Sequence, residues 1–162
     1  MAIIPDYVEP RVGWRVWSVV EHDGELRLAS LVYHLVWQPR AEAHARCRRS
    51  LAALPLGRMP LHGSPAVDCC CGIYALESAE LTVPYLRFRS SESVRPVHRV
   101  LGQVSLWGRI VECQDGWRAA SGYPERLFVP ASPRRRRSKA VEEVADSLGV
   151  YGVPVEILPA SR

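Results

Sequence analysis

From Val12 to Val20 apolar and polar positions alternate and the residues favour extended backbone, so this stretch reads as a β-strand. Trp14, Val16 and Val20 share one of its faces. Asp23-Gly24 tolerates tight-turn geometry, and Leu26 to Trp37 reads as the returning strand of a hairpin. That strand is apolar on both faces toward its end, which places it centrally or under a helix. Pro39 ends it. Helix formers follow in "RAEAHARCRRSLAALP", where Ala43, Cys47, Leu51 and Leu54 recur at spacings of three and four. This predicts one helical face, stopped by Pro55, with His44 close to that face one turn before Cys47.

The span from Pro55 to Cys71 reads as loop, with Gly57, Pro60, Gly63 and Pro65 interrupting it. "GIYALESAE" fits either a short helix or a turn leading to a strand edge. "LTVPYLRF" reads as a strand with Pro84 marking an edge. "VHRVLGQVSLWGRIVECQDGWRAAS" reads as strand, turn, strand, with Asp115-Gly116 at the turn, and "RLFVP" as a further short strand. Ser138 is placed to cap a helix from Lys139 to Leu148, and Gly149 to terminate it. "GVPVEILP" reads as a last strand. "SVVEHDGELRLAS" is echoed about ninety residues later by "RIVECQDGWRAAS", either as two equivalent hairpins of one sheet or as two independent solutions to the same turn.

These elements predict a single α+β domain over 1–162. Its sheet is curved, mostly antiparallel and barrel-like, with two main helices, one after the first hairpin and one near the C-terminus. The apolar runs are too short to cross a membrane, and "MAIIPDYVEP" lacks the basic start of a signal peptide, which leads to the expectation of a cytoplasmic protein. Five cysteines, three of them consecutive, suit a reducing compartment, where clustered thiols serve as ligands or reactive groups.

The net charge of +4 changes the picture in one place only. Up to residue 133, fifteen Arg and Lys stand against thirteen Asp and Glu. The excess sits in a basic loop over 130–138, where Arg134, Arg135, Arg136 and Arg137 are candidates for phosphate-backbone contacts, with a solvated charged loop as the plainer reading. Trp117 beside Arg118 offers a stacking surface for a base or peptide, or a cross-strand packing residue. No G-x-x-x-x-G-K-[ST], G-x-G-x-x-G or H-E-x-x-H motif occurs, and the acidic residues are too scattered to suggest a glycosidase pair.

The candidate chemistry lies in "HGSPAVDCCCGIYAL", His62 to Leu76. Zinc takes four tetrahedral ligands, and Cys47, His62, Cys69 and Cys71 make a complete set, with His44 as a possible substitute or hydrogen-bonding support. Cys70 then points away from the site, toward the core. A metal would convert binding free energy into folding free energy for a loop poor in apolar residues. The same ligands suit an iron–sulfur cluster. Two other readings stay open. The thiols can be small buried residues. Alternatively, Cys71 can be a nucleophile at the start of a helix, with His62 as its base and Asp68 orienting the histidine.

"HGSPAVDCCCGIYA" and "GQVSLWGRIVECQDGWRAASGYP" resemble an uncharacterised bacterial protein family with H-x-x-P…C-x-C-G-[IL]-Y-A and G-x-V-x-L-W-G motifs. The match rests on His62, Pro65, Cys69, Cys71, Gly72, Tyr74, Trp107 and Gly108 and spans most of the chain to about residue 130. The resemblance implies that Cys70 is the incidental cysteine, and it brings no known activity. The expectation is a small metal-stabilised binding or adaptor module, non-enzymatic, with protein or nucleic acid as its partner. An enzyme using Cys71, or an iron–sulfur protein, is the alternative.

Overall fold

Two hairpins with two-residue loops carry the architecture. The computed structural model describes residues 3–4, 9–32, 35–47, 62–88, 95–131 and 141–160. Strands β2 (Arg11–His22) and β3 (Glu25–Ala29) are joined through Asp23 and Gly24, whose φ values of 51° and 79° are both positive, as a type I′ turn requires. Strands β7 (His98–Cys113) and β8 (Gly116–Pro130) pair with Cys113 opposite Gly116, so Gln114 and Asp115 form their loop. The two echoing segments are therefore both tight hairpins of one sheet, with the Asp-Gly pair shifted by one position. The short "RLFVP" strand is the end of the 15-residue β8.

The sheet curls into a ring. Strand β2 pairs antiparallel with β7 from Arg11 opposite Leu106 to Val19 opposite His98. Strand β8 pairs with β7 on one side and with β6 (Ile73–Leu76) on the other. Strand β6 returns to β2 at Trp14 opposite Leu76, which closes the circuit. Short strands extend it: β1 (Ile3–Ile4) on β7, β4 (Val36–Trp37) on β3, and β5 (Ala43–His44) and β9 (Val155–Leu158) on β8. Among the described residues only β8 and β9 pair in parallel. The result is an α+β fold with a mostly antiparallel, near-barrel sheet and two main helices, α1 (Val83–Leu86) and α2 (Val141–Leu148).

Three elements differ from their sequence patterns. The helix expected after Pro39 is absent from 40–47. There the chain is extended, with Ala43 opposite Gly122, His44 opposite Ser121, and the Ala45 amide donating to the Ala120 carbonyl at 2.7 Å. Helix propensity is worth tenths of a kcal/mol per residue, less than leaving the β8 edge unpaired. The remainder of that expected helix, 48–54, lies outside the described residues. "LTVPYLRF" is a 3₁₀ turn (Glu80–Thr82) running into α1, because Pro84 sits in a first helical turn, where its missing N–H costs nothing. The strand expected to run from Leu26 to Trp37 stops at Ala29, turns, and returns as β4. Helix α2 ends at Leu148, directly before Gly149, as expected. A 3₁₀ turn (Gly149–Tyr151) continues it to Gly152, whose φ of 70° stops the chain.

That extension seats Tyr151 in the core. Its hydroxyl accepts from the Leu28 amide at 2.8 Å and donates to the Trp37 carbonyl at 2.6 Å. Trp17 and Trp37 meet edge to face, 5.5 Å between centroids, and Leu106, Ile110 and Leu127 fill the ring around them. Val144 and Leu148 of α2 close one side. Strand β2 is buried on both faces from Val16 to Val20, as befits a strand wrapped inside a curved sheet.

Candidate metal centre

Three segments converge at the mouth of the ring. Cys47 follows β5, His62 opens the "HGSP" loop, and Cys69 and Cys71 lie on the turn that enters β6. Their ligand atoms all fall within 4.8 Å of one another. Cys47 Sγ stands 3.6 Å from Cys69 Sγ, and Cys71 Sγ stands 3.6 Å from His62 Nε2. Cys69 is buried, Cys47 and Cys71 are half-buried and His62 is exposed. All five cysteines are free thiols. The set is a Cys3His cluster able to hold a metal ion.

The local fold explains the convergence. Alternate residues of the Cys69-Cys70-Cys71 run point to opposite sides, so Cys69 and Cys71 face the cluster, while Cys70 is exposed rather than turned into the core as expected. Gly72 allows the chain to pass directly over β8. Its φ of 131° suits glycine, and a Cβ there would lie 2.9 Å from the Arg118 Cβ. Gly116 does the same from the β8 side of the same strand pair, where a Cβ would fall 2.1 Å from the Ala75 carbonyl oxygen.

Arg118 ties the loop down from beneath. It is only 2% exposed, and its Nη1 donates to the carbonyls of Cys71 (2.7 Å), Ala66 (3.3 Å) and Cys69. Tyr74 lies under the same guanidinium, 5.9 Å from its ring centroid, and its hydroxyl donates to the Cys70 carbonyl at 2.6 Å. Burial pushes the Tyr74 phenol up, against the pull of the Arg118 charge. Every cysteine carbonyl of the triplet thus has a side-chain donor, which leaves the thiols as the loop's outward chemistry.

The other candidate residues fall elsewhere. His44 is turned to Ser121 Oγ (3.1 Å) and Glu42 Oε1 (3.2 Å) and is not among the four converging residues. Asp68 is exposed and makes no hydrogen bond or ion pair with a described residue. Ile73 begins a strand, so Cys71 does not stand at the start of a helix. Arg118 is not a stacking partner for a base or peptide, being buried under the cysteine loop. Trp117 packs against the core, with Arg11 over its ring at 5.9 Å. Arg134 to Arg137 lie outside the described residues. Sequence reasoning missed Arg118 and Tyr74 as organisers of the loop. The available signal was a lone long side chain among Ala119, Ala120, Ser121 and Gly122, a run of small residues that leaves room for one.

No protein-family model matches the chain, and no curated protein or solved structure matches it either. The residues on which the motif resemblance rests include His62, Pro65, Cys69, Cys71, Gly72 and Tyr74, and these six lie in the loop and strand that form the cluster and its supports. No helix of the described residues is long and apolar enough to cross a membrane.

Proposed function

We propose that Cys47, His62, Cys69 and Cys71 hold one zinc ion, and that the protein is a zinc-stabilised binding module without catalysis of its own. The observation that carries this reading is the compactness of the set, four donor atoms within 4.8 Å. Zinc–sulfur bonds of about 2.3 Å at tetrahedral angles put ligand atoms about 3.8 Å apart. The two 3.6 Å contacts are close to that edge. An iron–sulfur cluster spreads its thiolates over several irons and needs them farther apart, so the geometry favours a single ion. Four protein ligands leave no open position for a substrate, which is the pattern of a structural site rather than a catalytic one.

Elemental analysis of the untagged protein tests this. The expected result is about one zinc per chain in a colourless solution. Cys69→Ser and Cys71→Ser each lose the metal, and Cys70→Ser keeps it. A brown solution containing iron supports the cluster reading instead. A folded, metal-free protein with a rapidly alkylated Cys71 promotes the nucleophile and removes the zinc.

A further inference from the structure

Beside the cysteine cluster the described residues enclose a cavity of about 400 Å³. That lies within the range of about 300–1,000 Å³ typical of small-molecule sites. Its wall is mainly apolar, with Leu31, Leu35, Ile73, Tyr85 and Phe88 among the contributors. Cys47 and the Cys69–Gly72 turn close one end. Among the described residues no Asp or Glu contributes to this wall, but Arg15 and Arg46 do.

Arg15 is the unusual member. It comes from β2, and its guanidinium lies against the rings of Trp17 and Trp37, at 5.8 and 5.3 Å from their centroids. Its Nη1 donates to the Tyr74 carbonyl at 2.6 Å and its Nη2 to Ser30 Oγ at 2.9 Å. Both acceptors are neutral. Its Nε is buried with no partner. Among the described residues no carboxylate pairs with it. Burial without a counter-charge lowers its pKa to about 10. An unpaired cation in apolar surroundings is costly, and buried charges are otherwise paired. A Cys3His zinc centre would carry a net charge of one negative unit, and Arg46, next to Cys47 in the chain, lines the same cavity. Among the described residues that line the cavity, no carboxylate answers the charge of Arg15.

We propose that this cavity binds a small apolar molecule ending in a carboxylate, with the acid on the Arg15 guanidinium and the apolar body along Leu31, Leu35, Ile73 and Phe88. The guanidinium fork matches a carboxylate's two oxygens, and the two tryptophans hold the fork in place. This names a ligand class for the binding module and rests on that reading for the part of the wall that Cys47 and the Cys69–Gly72 turn provide.

The test is calorimetric titration of the full-length protein, its zinc content measured on the same sample. Decanoate below its micellar concentration is compared with 1-decanol, which has the same chain and no charge. Decanoate is expected to bind saturably and at least about tenfold more tightly than the alcohol, the size of effect a charge-assisted hydrogen bond produces. Arg15→Met is expected to remove that difference. Equal affinity for acid and alcohol, or no saturable binding of either, overturns the proposal. The acid–alcohol comparison on the unmodified chain decides alone if Arg15→Met does not fold. Zinc-loaded protein that ignores decanoate overturns this inference and leaves the metal reading intact. Zinc-free protein that still prefers decanoate does the reverse.

Discussion

Arg118 gives its Nη1 to three backbone carbonyls, and this is what shapes the cysteine loop. Replacing it with Met leaves the carbonyls of Ala66, Cys69 and Cys71 without their donor in a buried place. The expected cost is about 3 kcal/mol, read as a shift of the urea midpoint. Metal affinity should fall by about 10- to 100-fold, as for other groups that orient ligands, measured by competition with a chelator. Arg118→Lys keeps the charge but not the fork and should fall between the two. Tyr151 acts at the same scale but on the core. Its pKa is pushed up to about 12 from 10.0, chiefly by burial. A raised phenol pKa means the folded state holds its proton more tightly than the unfolded one. The stability this represents is fully present below pH 10 and is lost as pH rises from about 10 to 12. Tyr151→Phe should cost about 1–3 kcal/mol at neutral pH and make the alkaline loss shallower, followed by chemical denaturation at each pH.

Among the elements, the two hairpins were legible because their signals are local. Alternation assigns faces, and Asp23-Gly24 meets the positive φ that a two-residue turn demands. The second Asp-Gly was placed one residue off, since Gly116 is not in the loop but at the start of β8. It is glycine for another reason: the Ala75 carbonyl of β6 passes over it. Gly116→Ala therefore tests the join between β6 and β8. With the obstructing atom in the backbone, the substitution should destabilise by about 3 kcal/mol in a thermal melt. It should also weaken metal binding, because β6 begins two residues after Cys71. A variant as stable as the parent would show that β6 moves freely on β8. The expected helix at 40–54 failed over its described part for a complementary reason. Its pattern of threes and fours was real, but the free edge of β8 at Ser121 and Gly122 was invisible from the sequence.

At the scale of the molecule, the ring and the metal loop draw their stability from different sources. The ring is held by the long β2–β7–β8 ladders and the tryptophan core, whereas the turn from His62 to Gly72 has few apolar residues to hold it. Removing the metal with a chelator should leave the amides of β7 and β8 protected from hydrogen exchange, while those of 62–72 exchange much faster. Simultaneous loss of protection in both would mean that the cluster supports the whole domain. The sequence by itself determined the α+β class, both hairpins, the C-terminal helix and the list of residues able to ligate a metal. These rest on residue type and on interactions between near neighbours. Only the tertiary structure decided that Cys47 arrives on an extended segment, that Arg118 lies buried beneath the cysteine turn, and that Arg15 meets no carboxylate among the described residues. Each of these depends on which strand edge lies beside which once the ring closes, between residues far apart in the chain such as Ala43 and Gly122. No window along the chain contains that information.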